Sequence, residues 1–110
     1  GNNASFTQLV ADTARSQDEQ VEVMTMHPEL RELNASDVAD LSNSGGELAG
    51  STTAAWFIRE FAGEKTPWVH LDIAGVAYRN RAIKLDPRGS TGFGVRTGVA
   101  LVQAIAKNQK

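Results

Sequence analysis

The chain has 110 residues, of which 41% are hydrophobic and 22% are charged, and its formal net charge is −2. This composition is typical of one globular domain or part of one, and it gives no general attraction to nucleic acid or anionic membrane. The absence of cysteine excludes disulfides, thiolate catalysis and a cysteine metal site, and no apolar run is long enough to span a membrane. Since the sequence begins with glycine rather than methionine, we expect a piece of a longer protein, and the absence of cysteine suits a reducing cytoplasm.

The first half of the chain predicts two helices with an extended segment between them. Apolar residues near the start recur at three- and four-residue spacing, as on one face of a helix, and Ser5 with Gln8 fits a capping box. The second helix has a proline in its first turn. The predicted elements are a helix over residues 4–15, an extended segment over 21–26, a short helix over 27–34 and a brief strand over 36–41.

The second half predicts a helix, a strand and a final helix, joined by glycine-rich turns. These elements are a helix over residues 51–62, a strand over 68–73, a long basic loop over 79–94 and a helix over 95–106. Alternating helices and strands indicate α/β layering. The strands are too few and too short to form a sheet alone, so we expect them to add to the sheet of a larger domain.

His70 and Asp72 are the polar residues inside the predicted strand, and they share one face because they lie two positions apart. They could be a general base and its orienting carboxylate. They could also be a hydrogen-bonded pair that supports a nearby loop in a sheet covered on both faces. We favour the second interpretation, since no nucleophile accompanies them. His27 is distant in sequence, and two separate histidines make a weak metal site.

The stretch GSTGFG, residues 89–94, directly precedes the final helix, where free backbone amides could bind an anion. It matches neither the dinucleotide fingerprint nor the phosphate-binding loop with its lysine. We therefore favour a tight turn whose glycines adopt positive φ angles, and the same interpretation applies to Gly45 and Gly46.

A basic group lies in the long loop between the strand and the final helix. It could contact the phosphates of a nucleic acid, but Tyr78 is its only aromatic neighbour in sequence and the chain as a whole is acidic. A solvated loop, or a loop paired with the acidic first half, is favoured. The basic residues are Arg79, Arg81, Lys84 and Arg88.

Three stretches together resemble the C-terminal part of the catalytic domain of the leucyl (cytosol) aminopeptidase family. WVHLDIAGVAYRN followed by GSTGFGVRTGVALV is similar to that family's Trp-x-His-Leu-Asp-(Ile/Met)-Ala-Gly segment, its Gly-x-Thr-Gly turn and its final helix. SDVADLSN is similar to the family's Ser-x-x-Ala-Asp-Leu-x-Asn, and the AAWFIREF helix precedes the His-Leu-Asp strand as it does in the family. Order and spacing agree from about residue 28 to the end.

The resemblance implies that residues 1–110 are the C-terminal portion of an α/β/α sandwich with a mixed sheet, of the phosphorylase/hydrolase-like type. It also implies a two-metal exopeptidase that releases N-terminal residues of the Leu type from peptides, with zinc or manganese as cofactors and a hexamer as the usual assembly. The family's metal-binding string Asn-Thr-Asp-Ala-Glu-Gly-Arg does not occur in this sequence. We therefore expect this chain to bind no metal and to be inactive by itself.

One functional feature of the family falls within this chain. Residues around the Ala-Gly that follows the His-Leu-Asp strand line the pocket for the substrate's N-terminal side chain, and the matching positions are Ala74 and Ala77. The resemblance thus gives His70 and Asp72 the role of bracing the strand whose end forms the pocket wall. The alternative function is a non-catalytic nucleic-acid-binding or interaction module that uses the basic loop 79–88.

Overall fold

The computed structural model describes residues 1–84 and 86–107, which contain both helices and strands. None of the helices in these two ranges is long and apolar enough to cross a membrane. In chain order the elements are helix α1 (Ala4–Ser16), a 3-10 helix (Pro28–Asn34), helix α2 (Gly50–Arg59), strand β1 (Tyr78–Arg79), strand β2 (Gly89–Ser90) and helix α3 (Val95–Lys107).

The chain divides into two compact units. The first consists of Gly1–Thr7 and Val23–His70, and the second consists of Gln8–Glu22 and Leu71–Lys110. Each unit therefore combines two stretches that are distant in sequence. The predicted helices all occur, close to their predicted bounds, because a helix satisfies its backbone hydrogen bonds within its own segment.

Asn3 caps the start of helix α1. Its Oδ1 accepts hydrogen bonds from the Phe6 N–H at 2.9 Å and from the Ser5 hydroxyl at 2.8 Å. The predicted capping box of Ser5 with Gln8 is therefore wrong, since Ser5 lies inside the helix and Gln8 donates to Asp12 instead. An asparagine side chain can accept the third amide of a helix as well as a serine can, and here Asn3 takes that position.

In the first unit, side-chain hydrogen bonds connect the 3-10 helix and the residue before it to helix α2. Asn34, which is 2% exposed, donates from Nδ2 to the Thr53 carbonyl at 2.8 Å. Trp56 donates from Nε1 to the His27 carbonyl at 3.0 Å. Gly45 lies so close to Thr53 that a Cβ on it would be 2.7 Å from the threonine side chain, so a larger residue would not fit here.

The predicted strands over residues 21–26, 36–41 and 68–73 are not formed within the described part of the chain. A strand requires hydrogen bonds from a neighbouring strand, and these segments find none among the described residues. Leu71 and Ile73 remain 44% and 37% exposed, whereas a sheet covered on both faces would bury them. The mixed α/β content is as predicted, and the three-layer sandwich stays a prediction.

In the second unit, the segment predicted as an irregular loop is a β-hairpin. Strands β1 and β2 are antiparallel, with Tyr78 opposite Ser90, and a further bridge joins Ile83 to Asp86 near the tip. Lys84 adopts a left-handed conformation at φ 54°, which allows the chain to reverse there. The sequence did not predict this hairpin, because strands of only two residues are too short to show an alternating pattern.

Candidate functional site

The predicted pocket residues lie on a tight turn in the second unit. The amides of Val76 and Ala77 both donate to the Ile73 carbonyl, at 3.0 and 2.9 Å, so residues 73–77 fold back as a short helical turn. Ala74 is exposed and Ala77 is half-buried. Both side chains are single methyl groups, so they leave space beside the turn that a larger residue would fill.

Asp72 stabilises the entry to this turn. Its Oδ1 accepts a hydrogen bond from the Ala74 N–H at 2.9 Å, which is the geometry by which aspartate initiates turns. The side chain is exposed, in contrast to the covered face that the predicted strand requires. Asp72 thus acts on the backbone immediately before the pocket residues.

His70 lies in the first unit, where it is partly buried. Its ring stacks on Trp68, with ring centroids 6.4 Å apart and an angle of 27° between the planes. This contact gives His70 a packing role within its own unit. The structure describes no contact by which it acts as a general base.

Thr91, in the glycine-rich stretch, binds the end of the turn over residues 73–77. Its hydroxyl donates to the Val76 carbonyl at 2.7 Å, and its N–H donates to the Ala77 carbonyl at 3.0 Å. The same hydroxyl oxygen accepts the Phe93 N–H at 3.2 Å. Thr91 therefore joins the two peptide groups on either side of the Ala77 Cα to the glycine loop.

The glycine loop turns as predicted. Gly89, Gly92 and Gly94 have φ angles of 130°, 69° and 91°, which residues with a side chain rarely adopt. These conformations lead from strand β2 into helix α3 within a few residues. The prediction of a tight turn with positive φ angles is confirmed here and for Gly46, at φ 92°, but it is wrong for Gly45, whose φ is not positive.

The amides at the start of helix α3 do bind an anion, and that anion is the side chain of Glu19. Its carboxylate accepts hydrogen bonds from the Gly94 N–H at 3.1 Å, the Thr97 N–H at 3.0 Å and the Thr97 hydroxyl at 2.5 Å. The Arg96 guanidinium lies 3.6 Å away. Glu19 is 3% exposed, so the carboxylate replaces solvent at this helix terminus.

The end of helix α1 brings Glu19 to this position. Asp18 adopts a left-handed conformation at φ 58°, and the Glu19 N–H bonds back to the Ala14 carbonyl at 3.0 Å. The hydrogen bond from the Thr97 hydroxyl is the main cause that lowers the pKa of Glu19 below its ordinary value of 4.5. Burial acts in the opposite direction, and the two amides and Arg96 add to the lowering. Glu19 is therefore ionised at neutral pH.

Sequence reasoning missed Glu19, Thr91 and Thr97. Glu19 lies in an acidic stretch that indicated only the end of a helix, far in sequence from the helix it caps. One signal was present: helix α3 has no acidic residue in its first turn, although a helix N-terminus favours negative charge. The missing acidic residue in the first turn of helix α3 could have prompted a search for a carboxylate from a distant part of the sequence.

The histidines do not form a metal centre with other side chains. His27 is exposed, and its Nδ1 lies 3.7 Å from a carboxylate oxygen of Glu29. Across residues 1–84 and 86–107, no three His, Cys, Asp or Glu side chains come together as metal ligands would. The side chains in these two ranges thus do not fit a metal site.

Among the basic residues of the hairpin, one has a described acidic partner. Arg79 pairs with Asp86 across the hairpin, with Nη2 2.8 Å from Oδ2, so its charge is balanced locally. Arg81, Lys84 and Arg88 are exposed. Arg79 thus pairs with an acid of the hairpin itself rather than with the acidic first half of the chain, as was predicted for this loop.

A polar cleft in the first unit is also balanced internally. Arg31 makes a two-pronged contact with Glu60, at 2.6 and 2.9 Å, and this contact lowers the pKa of Glu60. Arg59, on the same cleft, donates to the Gly63 carbonyl and lies 3.4 Å from Glu64. With its charges paired, this cleft is better explained as a contact between the 3-10 helix and helix α2 than as a binding site.

Comparison with known protein families assigns the chain to one of them. The sequence profile of the catalytic domain of the cytosol aminopeptidase family matches residues 1–99. A segment with a Thr91-braced turn after the His-Leu-Asp motif is thus part of a peptidase catalytic domain. The chain belongs to the cytosol aminopeptidase family.

Individual relatives agree with this assignment. The chain is 39% identical over 107 residues to a probable cytosol aminopeptidase of Geobacter sulfurreducens, covering 97% of this chain and 21% of the relative. It is 40% identical over 108 residues to one from Aquifex aeolicus, covering 97% and 22%. The crystal structure of cytosol aminopeptidase from Coxiella burnetii matches with a TM-score of 0.78 and 30% identity, over 93% of this chain and 22% of that one. The chain thus spans about a fifth of the length of these relatives.

Proposed function

We propose that the protein containing these residues is an aminopeptidase that releases N-terminal amino acids of the Leu type from peptides. The observation that carries this proposal is the family match over residues 1–99, which includes the His-Leu-Asp segment and the turn after it. The relatives' names support the activity, and their greater length indicates that this chain supplies only part of the machinery.

The role proposed for this chain is to form one wall of the pocket for the substrate's N-terminal side chain. Ala74 and Ala77 face that pocket with methyl groups, which leave room for a side chain as large as Leu, Met or Phe. An apolar wall binds such a side chain by removing it from water, at about 25 cal/mol for each Å² of apolar surface buried. Asp72 and Thr91 hold the turn that carries the two alanines.

The metal ions belong to the remainder of the proposed enzyme. The side chains described here do not come together as a ligand set, so we place the two zinc or manganese ions on residues outside these 110. Peptides are the proposed substrates, a homohexamer is the proposed assembly and the cytoplasm is the proposed location. The 110 residues alone are expected to be inactive.

The test uses the full-length protein and a series of aminoacyl-anilide substrates. Wild type should prefer Leu over Ala substrates. Replacing Ala77 with Phe fills the pocket, so kcat/KM for Leu relative to Ala should fall about tenfold or more, since apolar pockets discriminate by roughly 1–3 kcal/mol for each methylene-sized change. Turnover of the Ala substrate should fall much less.

Ala82→Phe is the matched control, because Ala82 is an exposed alanine of the hairpin in the same unit. It should leave the Leu-to-Ala ratio unchanged. An equal loss for all substrates in Ala77→Phe would remove Ala77 from the pocket, and a full-length protein that releases no N-terminal residue would remove the aminopeptidase function.

A further inference from the structure

The turn that carries Ala74 and Ala77 is held from two sides by different residues. On the entry side, Asp72 accepts the Ala74 N–H. On the exit side, Thr91 contributes both of its hydrogen-bond donors, the hydroxyl to the Val76 carbonyl and the N–H to the Ala77 carbonyl. The exit contacts flank Ala77 directly, whereas the entry contact is at Ala74.

The two hydrogen bonds that Thr91 donates to the successive carbonyls of Val76 and Ala77 fix the orientation of the backbone between them as well as its distance from Thr91. Because the Val76 and Ala77 carbonyls belong to the peptide groups before and after the Ala77 Cα, holding both of them restricts the rotation of this residue's backbone. The direction of the Ala77 Cα–Cβ bond follows from that backbone, since Cβ has no freedom of its own. Thr91 therefore sets where the Ala77 methyl group lies.

Thr91 is itself well anchored. It follows directly after Ser90, which is paired with Tyr78 in the hairpin ladder. On its other side, Gly94 and Thr97 are held by the buried carboxylate of Glu19. With both flanks fixed, a change at Thr91 should alter the pocket turn rather than be absorbed by movement of the glycine loop.

We propose that Thr91 is a positioning residue for substrate selection, which sets the width of the side-chain pocket by holding Ala77. This inference rests on the proposed aminopeptidase function and on the placement of Ala77 in its pocket. Thr91 acts only through Val76 and Ala77, so its loss should affect which N-terminal residue is accepted more than the chemical step.

The experiment compares two substitutions in the full-length protein. Thr91→Val keeps the shape of the side chain and removes the hydroxyl, while Thr91→Ser keeps the hydroxyl and removes the methyl group. Thr91→Val should lower kcat/KM for Leu relative to Ala substrates by about fivefold, mainly by raising KM for the Leu substrate. A fivefold change corresponds to the free energy of one ordinary hydrogen bond. Thr91→Ser should retain most of the wild-type ratio.

The ratio of two substrates does not depend on the fraction of enzyme that is folded, so a purely structural role would leave it unchanged. If Thr91→Val does not fold, Thr91→Ala removes the same hydroxyl and takes its place. A wild-type ratio in the hydroxyl-free variant, alongside a changed ratio in Ala77→Phe, would overturn the role of Thr91 alone. Unchanged ratios in both variants would overturn the pocket placement and this inference with it, and an inactive wild type would overturn the proposed function.

Discussion

Glu19 illustrates at the scale of a single residue how opposing effects decide a charge state. Burial to 3% exposure disfavours the ionised carboxylate, while two amides, a hydroxyl and a nearby guanidinium favour it. The hydrogen bonds prevail, and the pKa of Glu19 is lowered. The carboxylate contributes stability because it is better accommodated in the folded protein than in the unfolded chain.

The sign of the pH dependence follows from that lowered pKa. A carboxyl group with a depressed folded-state pKa contributes fully above its unfolded value, here 4.5, and loses its contribution as the pH falls through the folded-state pKa. Glu19→Gln should destabilise the protein by about 2 kcal/mol at neutral pH, since hydrogen bonds to a charged group are lost. Urea unfolding from pH 7 to pH 3 should show the difference from wild type steady above pH 5 and shrinking below about 4.5.

Glu22→Gln is the matched control, because Glu22 is an exposed glutamate of the same segment. It should change the unfolding midpoint little at any pH, as is usual for surface charges. A Glu19→Gln effect that did not vary with pH would show that the lost packing, rather than the charge, matters at this site.

Sequence reasoning at the residue scale succeeded where a residue's neighbours in the chain define it. Gly92 and Gly94 could be predicted as turn residues because turns depend on local backbone, whereas the pocket role of Ala74 and Ala77, which comes from a continuous motif, stays a prediction. Glu19 and Thr91 could not be selected, because their partners lie far away in sequence. Their importance comes from tertiary contacts with Thr97, Val76 and Ala77.

The same distinction applies to whole elements. Helix α1 was predicted over residues 4–15 and spans Ala4–Ser16, and helix α3 was predicted over 95–106 and spans Val95–Lys107. The strand predicted over 68–73 is not formed, since its hydrogen bonds must come from another segment. Periodicity reveals that residues 68–73 are suited to a strand, but only a partner strand can make them one.

Asn34 tests how the 3-10 helix and helix α2 are held together. Its amide donates to the Thr53 carbonyl, while its Oδ1 is buried without a hydrogen-bond partner in the described chain. Asn34→Ala should destabilise by about 1–2 kcal/mol, because one buried hydrogen bond is lost but an unsatisfied oxygen is lost with it. Asn34→Asp should cost more, since it buries a charge beside the Thr53 carbonyl oxygen.

Denaturant unfolding of the purified variants measures both changes. Asn43→Ala is the control, because Asn43 is exposed, and it should lie within about 0.5 kcal/mol of wild type. If Asn34→Asp were as stable as Asn34→Ala, the amide would not face the Thr53 carbonyl as a donor.

At the scale of the whole molecule, the clearest feature is apolar surface left in contact with solvent. On helix α3, Val95, Val99 and Val102 are 64%, 57% and 67% exposed, and their spacing places them on one stripe. Apolar patches of this kind mark interaction surfaces in soluble proteins. The chain spans about a fifth of its relatives' length, and we propose that the remainder of the catalytic domain covers this stripe.

This proposal predicts that a more polar stripe improves the behaviour of the isolated chain in solution but destabilises the full-length protein. Replacing Val95, Val99 and Val102 with Thr keeps the side-chain shape and a similar helix propensity while adding hydroxyl groups. In the isolated 110-residue chain, the stripe is exposed, so the triple variant should bind less of an apolar fluorescent dye than wild type and should associate less in size-exclusion chromatography.

In the full-length protein, the hydroxyls would be buried against apolar neighbours, at a cost of about 1–3 kcal/mol each where they find no partner. The full-length variant should therefore unfold at a lower denaturant concentration than its parent. Equal stability of variant and parent would show that this face of helix α3 meets solvent in the complete protein.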